Sequence, residues 1–549
     1  MQILYRIAVI ACAIVLTACS SETKVEIDDA LDAITQENLK ATTSYLADDA
    51  RNGRRAGSPG HDAAAKYVAE QFEEIGLQPG GDDGWFQQVP FVTAAIDAEN
   101  SGVILHTSSG EVELEWIKDA VVFPDAVREE SHVRAEVVFV GFGIHAPELG
   151  YSDYEGIDVE GKIVATFWGG PETFPQPELA IYSSAYIKAA ELVSRGAVGQ
   201  ILLWDRREED DEDWDENYDG YPKEPRLSWV NESGDASRYF PELLGLADLS
   251  RASAEKLFED SPITFEDALD AAEEFRPMST ALGVEVTLYQ RTRHERFSSP
   301  NVLGILPGSD PQLKNEFVVY SAHLDHIGTK ESDEGDTVYN GFYDNAVGVA
   351  VMLESARALS KLTVAPRRSI AFVAATAEES GLLGTDYFVN NPAVPDASIV
   401  ANINVDLPMF LFPMNTITTW GAERTSFDAA AAAEVALEGF EARPYPYPGE
   451  EGDINRSDSY PFAKQGIPFI WMMEGVGSSD AAVDGLAKIN AFYDDHYHQV
   501  SDDLSRPVHW DTAVRFARAC ARITRRIAME DDAPAWNEGD FIGDKFSRK

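Results

Sequence analysis

The sequence predicts an α/β chain: a mostly parallel, doubly wound sheet flanked by helices, with a second, β-rich unit inserted into it. Three observations carry this. The last third alternates near-continuous apolar runs, at 317–322, 370–375, 399–405 and 467–472, with helical stretches, the mark of buried parallel strands joined by crossover helices. Residues 103–288 change texture to short apolar runs broken by Gly and Pro. With 549 residues, 44% of them apolar and 10% aromatic, the chain can fill two cores and is neither disordered nor fibrous.

At the N-terminus Arg6 precedes an apolar run at 7–16. It is too short to span a bilayer, which takes about 20 residues, and fits the core of a signal peptide. It ends in Leu16-Thr17-Ala18-Cys19, which resembles the bacterial lipobox and implies a lipid on Cys19 as the mature N-terminus. The organisation this predicts is a lipoprotein signal at 1–18, a tether at 19–25, the N-terminal part of the main domain at 26–102, the insertion at 103–288, the rest of the main domain at 289–530 and a tail at 531–549. A cell-envelope location follows, with membrane attachment through Cys19; Ser20 in place of Asp after the Cys favours the outer membrane, facing the periplasm. Of Cys12, Cys19 and Cys520, only Cys520 is left unmodified in the mature chain, so no intrachain disulfide is expected. Lys and Arg number 44 against 94 Asp and Glu, a formal charge of −50. That balance argues against nucleic acid or an anionic membrane surface as a nonspecific partner.

Residues 26–75 read as helical, with Ala64, Val68 and Phe72 on one face and Gly76 as the stop. Within the insertion, 137–140, 163–167 and 198–203 read as strands and 185–194 as a helix. The acidic stretch 206–220 reads as a loop. Asp215 to Gly220 matches the first half of a calcium-loop pattern, but Arg226 stands at the twelfth position, where a bidentate Glu is needed. An EF-hand is thereby excluded, and a looser calcium site stays open. Residues 347–362 supply the crossover helix after the first strand of the last third.

Each of three buried strands runs into groups that carry chemistry. The first leads into His323-Leu324-Asp325-His326, the second into Glu378-Glu379 and the third into Asp406. In open α/β sheets ligands bind beyond the carboxyl ends of the strands, so these side chains are expected to converge. Asp344-Asn345, at the start of the crossover helix, points to the same edge, and His496-Tyr497-His498 lies downstream. A set of imidazoles and carboxylates suits zinc, with manganese or cobalt as substitutes. Three carboxylates with one hydroxide neutralise two divalent ions, whereas three converging carboxylates without metal repel one another.

The segments around these residues resemble the co-catalytic zinc aminopeptidases, family 28 of the metallopeptidases: Ala322-His323-Leu324-Asp325-His326, Tyr343-Asp344-Asn345-Ala346-Val347-Gly348, Ala377-Glu378-Glu379-Ser380-Gly381-Leu382-Leu383-Gly384, Asn404-Val405-Asp406 and Tyr497-His498-Gln499. Arg55-Ala56-Gly57-Ser58-Pro59-Gly60 resembles the family's N-terminal motif. Gly141-Phe142-Gly143 and Gly161-Lys162-Ile163-Val164 resemble a protease-associated domain. The resemblance implies two zinc ions per chain. His323 and Asp406 would hold one, Glu379 and His498 the other, and Asp344 would bridge them. Glu378 would be the general base, Asp325 would orient His323 and Tyr497 would steady the tetrahedral intermediate. It also implies a cis peptide after Asp344. Asn345 stands where the family often has Asp.

The substrates so implied are peptides with a free N-terminus. A carboxypeptidase, a dipeptidase or a glutaminyl cyclase on the same scaffold is the alternative, with Arg443 and Arg456 as candidate carboxylate partners; a non-catalytic binding protein is a further one. Met409-Phe410-Leu411-Phe412 and Trp471-Met472-Met473 read either as the wall of an apolar side-chain pocket or as ordinary core. His326 reads either as a group supporting the metal site or as a loop histidine.

Overall fold

The structure is a computed structural model and describes residues 27–547 except 212, 222–224, 331, 333–334, 394–397 and 446–450. The expected signal segment and tether, with Cys12 and Cys19, therefore lie outside the described residues. Two units separate: one holds the described residues of Met1–Val89, Ser298–Pro448 and Arg456–Lys549, the other those of Pro90–Phe297 and Gly449–Asn455. The second unit is wider at both ends than 103–288. Its limits fall inside the strands Phe86–Ile96 and Ser279–Leu306, where the sequence texture does not change.

In the first unit we label β1 Ser279–Leu306 (its C-terminal part), β2 Glu316–His323, β3 Ser369–Ala375, β4 Ser398–Val405, β5 Thr416–Trp420 and β6 Phe469–Glu474. The helices are α1 Pro59–Ile75, α2 Val347–Leu359, α3 Leu383–Asn390 and α4 Trp510–Met529. Strand pairing gives the order β1–β3–β2–β4–β6–β5. The central four, β3, β2, β4 and β6, are parallel, with antiparallel β1 and β5 outside them. Every residue of β3 is buried, as expected for a strand covered on both faces.

The two faces have separate cores. Val318, Tyr320, Ala322, Ile370, Phe372 and Ala374 point to one, against α1, α2 and α4. Val319, Ala371 and Val373 point to the other, with Phe388 of α3 and Phe462. The strands pack helices on alternate sides through a period of two. From β2 the chain crosses to β3 on one side, then returns to β4 on the other. The point where the direction reverses lies at the carboxyl end of β2.

The expected helix over 26–75 is broken. Helix Gln36–Leu46 and α1 are separated by a 3-10 turn, Asp49–Arg54, in which Asn52 and Gly53 adopt left-handed backbone. Gly53 is needed there, since a Cβ would sit 2.1 Å from the carbonyl oxygen of Gly328. Ser58 caps α1 and Gly76 ends it, while Ala64, Val68 and Phe72 are fully buried. Cys520, within α4, is a free and buried thiol. Among the described residues no helix is long and apolar enough to cross a membrane.

The second unit carries its own mixed sheet. Glu130–Val140, Ile163–Phe167, Gly199–Leu203 and Leu246–Leu249 run parallel, with Ala120–Val122 antiparallel at one end. The helix Ala185–Ser194 forms where expected. The acidic stretch does not form the expected loop. It holds helices Arg206–Asp211 and Trp214–Tyr218, the second capped by Asp213. Trp214 and Tyr218, one turn apart, pack with Trp204, so an aromatic pair at helical spacing outweighs the charge pattern. Arg206 is paired with Glu266, Asp270 and Glu273, and Arg251 with Glu209. Among the described residues no group of metal-ligating side chains converges in this stretch.

Phe372 lies at the centre of the larger core, 6.4 Å from Phe72 and 5.8 Å from Tyr320 between ring centres. Phe372→Ala is expected to lower stability by about 3–5 kcal/mol, read as a fall in the urea midpoint. An unchanged midpoint would place the core of this unit elsewhere.

Candidate metal centre

Strand register brings the site together. His323 pairs with Ala375 across β2 and β3, and Ser321 pairs with Asn404 across β2 and β4. The carboxyl ends of β3 and β4 are thus level with that of β2. Glu378 and Glu379 follow β3, and Asp406 follows β4. Asp344 enters from the turn Phe342–Ala346 that opens α2. His498 comes from the turn after helix Gly485–Asp495.

The side chains form two groups that share Asp344. On one side Nε2 of His323 is 3.0 Å from Oδ1 of Asp344 and 3.0 Å from Oδ1 of Asp406. On the other, Nε2 of His498 is 3.3 Å from Oδ2 of Asp344 and 3.2 Å from Oε2 of Glu379. Nδ1 of His326 is 2.5 Å from Oε1 of Glu379. Glu378 approaches His323 and Glu379, with one ligand-type atom from each of the three lying within 4.8 Å of the others. Tyr497 stacks on His498, ring centres 3.8 Å apart. His323, Asp344, Glu378, Glu379, Asp406 and His498 therefore meet at one rim, with Tyr497 against His498.

This donor set fits a pair of metal ions. Nδ1 of His323 lies 3.2 Å from the carbonyl oxygen of Asp325, which can accept its proton. Nε2 donates a proton toward the two carboxylate oxygens in the protein alone, and would turn its lone pair to a cation bound among them. Two donors about 2.0–2.1 Å from one tetrahedral zinc stand about 3.3 Å apart; the spacings at His323 and His498, 3.0 to 3.3 Å, are of that order.

The electrostatics of the protein alone agree with an acid-rich site that wants cations. Burial, with Asp406 and Glu379 nearby, holds Glu378 well above the usual carboxyl range despite the attraction of His323. Asp406 is also raised, by burial first. Burial opposes ionisation of Asp344, but hydrogen bonds with His323 and His498 outweigh it and hold that carboxyl well below its usual range. Burial lowers His498, yet its hydrogen bonds to Asp344 and Glu379 lift it to about 10. Ala377, Leu407 and His498 adopt left-handed backbone, at φ 54°, 51° and 55°. Each lies at or next to a site residue, and such positions cost of order 1–3 kcal/mol apiece, persisting where the surroundings enforce them.

Asp325 behaves differently from expectation. Its carboxylate is 3.9 Å from Nδ1 of His323. It accepts instead from the main-chain N–H of Glu378 at 3.0 Å and of Glu379 at 3.4 Å. Asp325 thus orients His323 through its carbonyl and the Glu378-Glu379 loop through its carboxylate. The Asp344–Asn345 peptide is cis, as the resemblance implies. Asn345 donates to the carbonyl of Val405 and accepts from the N–H of Gly348. An ionised Asp could not make the first bond. Met409, Phe410, Phe412 and Met472 are buried in the large core. Trp471 donates from Nε1 to the carbonyl of Asp406 at 3.4 Å. Arg443 is paired with Glu441.

Two supports were not found from the sequence. The carboxylate of Asp502 accepts from the N–H groups of Tyr343 at 3.1 Å and Asp344 at 3.2 Å, fixing the turn that presents Asp344. Arg54, fully buried, donates to the carbonyls of Leu46, Leu324, Asn340 and Gly341 at 2.6 to 3.0 Å. It ties the loop after β2 to the approach to Asp344. Burial lowers its pKa to about 10, while Asp325, Asp344, Asp502 and Glu379 act to keep it charged. In sequence Arg54 stands beside Arg55, the residue that matched a motif, and nothing in the local pattern separates the two.

Arg54→Leu leaves those buried carbonyls without their donor, and the metal-free chain is expected to lose about 3 kcal/mol. Urea unfolding in chelator measures it; a stability equal to that of the unsubstituted chain would contradict the clamp.

The chain is similar over parts of its length to known proteins. The model of Peptidase family M28 matches residues 301–524. Leupeptin-inactivating enzyme 1 of Streptomyces exfoliatus is 30% identical over 215 residues, which are 37% of this chain and 43% of that protein. The chain thus spans less than half the length of that relative. An aminopeptidase of Pseudomonas aeruginosa is 24% identical over 498 residues, 88% of this chain and 79% of that one. Among solved structures, the aminopeptidase from Aneurinibacillus sp. strain AM-1 aligns over 93% of this chain and 97% of its own, with a TM-score of 0.49 and 18% identity. Residues 301–524, which match the model of Peptidase family M28, hold the converging side chains from His323 to His498.

Proposed function

We propose that the chain is a metallo-aminopeptidase that removes the N-terminal residue from peptides with a free N-terminus. The observation that carries this reading is the pair of imidazole–carboxylate groups sharing Asp344 at the carboxyl ends of parallel strands. In it His323 and Asp406 would hold one zinc and Glu379 and His498 a second, with Asp344 serving both. Such a pair, when bound, polarises the scissile carbonyl and acidifies a water.

The chain's own groups do the rest. Glu378 takes a proton from the attacking water as the new C–O bond forms. It returns that proton to the nitrogen as the C–N bond breaks, releasing a free amino acid and a shortened peptide. Asp325 holds both the Glu378 loop and His323 in place. The hydroxyl of Tyr497, on the ring stacked against His498, donates to the oxyanion. The net negative charge around the site favours a substrate whose N-terminus is a free ammonium.

We read the second unit as a protease-associated domain that governs access of substrates, on the strength of its sequence motifs. The location belongs to the same reading: an exported chain, lipid-anchored through Cys19 in the cell envelope, as Leu16-Thr17-Ala18-Cys19 supports.

A panel of amino-acid anilides, each free and Nα-acetylated, tests the activity. The free amines are expected to be hydrolysed and the acetylated ones not, with activity lost in chelator and restored by zinc. Hydrolysis of blocked substrates, or of dipeptides in preference to anilides, would favour another peptidase class. Glu378→Gln is expected to keep its metal and lose about 10²–10⁴-fold in kcat; a rate near that of the unsubstituted enzyme would remove Glu378 as the base.

A further inference from the structure

Two imidazoles reach Glu379, and they meet different oxygens. Nε2 of His498 is 3.2 Å from Oε2, while Nδ1 of His326 is 2.5 Å from Oε1. The distinction matters, because both histidines stand close to the carboxylates of the second group; His326 Nδ1 is also 3.9 Å from Oδ2 of Asp344. Donors of one tetrahedral zinc stand about 3.3 Å apart, which suits His498. At 2.5 Å, His326 and Oε1 are too close to be neighbours around one ion, and the contact has the length of a short, charge-assisted hydrogen bond.

The surroundings of His326 fit a donor held in one orientation. The residue is buried, and Nε2 has no hydrogen-bond partner among the described residues. With Nδ1 carrying the proton, Nε2 is a bare acceptor, which is less costly to bury alone than an unmet N–H. The main-chain N–H of His326 donates to the carbonyl of Arg54 at 3.4 Å. The ring lies against Gly341, where a Cβ would approach Cγ and Cδ2 of His326 to 2.6 Å. Gly341 itself has a left-handed φ of 56°. The ring is thereby fixed between the N-terminal segment and the approach to Asp344.

We propose that His326 is a positioning residue for Glu379: its Nδ1–H occupies Oε1 and leaves Oε2 alone to face the second metal beside His498. This rests on the two-metal reading of the site. It assigns the imidazole a role that binding a metal directly would not give it. Without the bond, Glu379 is free to turn either oxygen inward, and the second metal is held less tightly.

The test compares His326→Asn with His326→Gln. The two amides have the same chemistry, but the Asn N–H falls where Nδ1 stood and the Gln N–H lies one bond further out. Zinc titration against a chromophoric chelator gives both dissociation constants, and circular dichroism of the metal-free proteins checks the fold. The second site of His326→Gln is expected to weaken about 10–100-fold, with the first site unchanged. His326→Asn is expected to stay within about threefold of the unsubstituted protein at both sites. At saturating zinc the deficit in kcat of the Gln variant should shrink while KM stays constant. If both variants lose the second metal, or the Asn variant fails to fold, the imidazole does more than donate at Nδ1 and the proposal falls. If both keep it, Glu379 needs no such partner. Failure of the parent reading is separate: the unsubstituted protein would then bind no second zinc at all.

Discussion

Buried carboxylates that face one another repel, and a fold that gathers them must supply positive charge. Asp344, Glu379 and Asp406 meet within the rim of one sheet, with Glu378 against them and Asp325, Asp458 and Asp502 buried close by. His323 and His498 point ring nitrogens into this cluster at hydrogen-bond distance. Burial raises Asp458 and Asp502 to about 7 and Asp325 to about 6. Cations bound at the centre would relieve that repulsion, and the rest of the site is a frame that holds the donors in place.

That frame is largely main chain. Arg54 grips four carbonyls, Asp325 accepts from the two N–H groups that start the Glu378-Glu379 loop, and Asp502 accepts from Tyr343 and Asp344. Hydrogen bonds to ionised or buried groups such as these exceed the roughly 1 kcal/mol of an ordinary one. The strands fix the level of His323, Glu378 and Asp406; the charged side chains fix the loops. Tight packing of α2 and α4 against β2 and β3 gives the rim its rigidity.

The site was legible because its residues sit at the ends of apolar runs. Phe317 to Ala322 leading into His323, and Ile399 to Val405 leading into Asp406, announce both the strand and the group at its carboxyl end. Other parts were hidden for identifiable reasons. The break between helix Gln36–Leu46 and α1 depends on a close approach of Gly53 to Gly328, far apart in sequence. The acidic stretch at 206–220 looks solvated until Trp214 and Tyr218 are seen to share a face. Arg54 acts on carbonyls, which carry no residue identity, so no spacing rule points to it. The carbonyl of Asp325, rather than its carboxylate, meets His323, a distinction that only backbone geometry makes. The N-terminal signal remains a reading of residues 1–25 alone.

The central claim is that two cations neutralise this rim and that Asp344 serves both. Metal analysis of the purified chain, set beside that of Asp344→Asn after dialysis into metal-free buffer, tests it most directly. The account predicts two zinc ions per unsubstituted chain and fewer than one in the variant, with the fold of both intact. A chain that retains one ion or none, or a variant that keeps two, would contradict it.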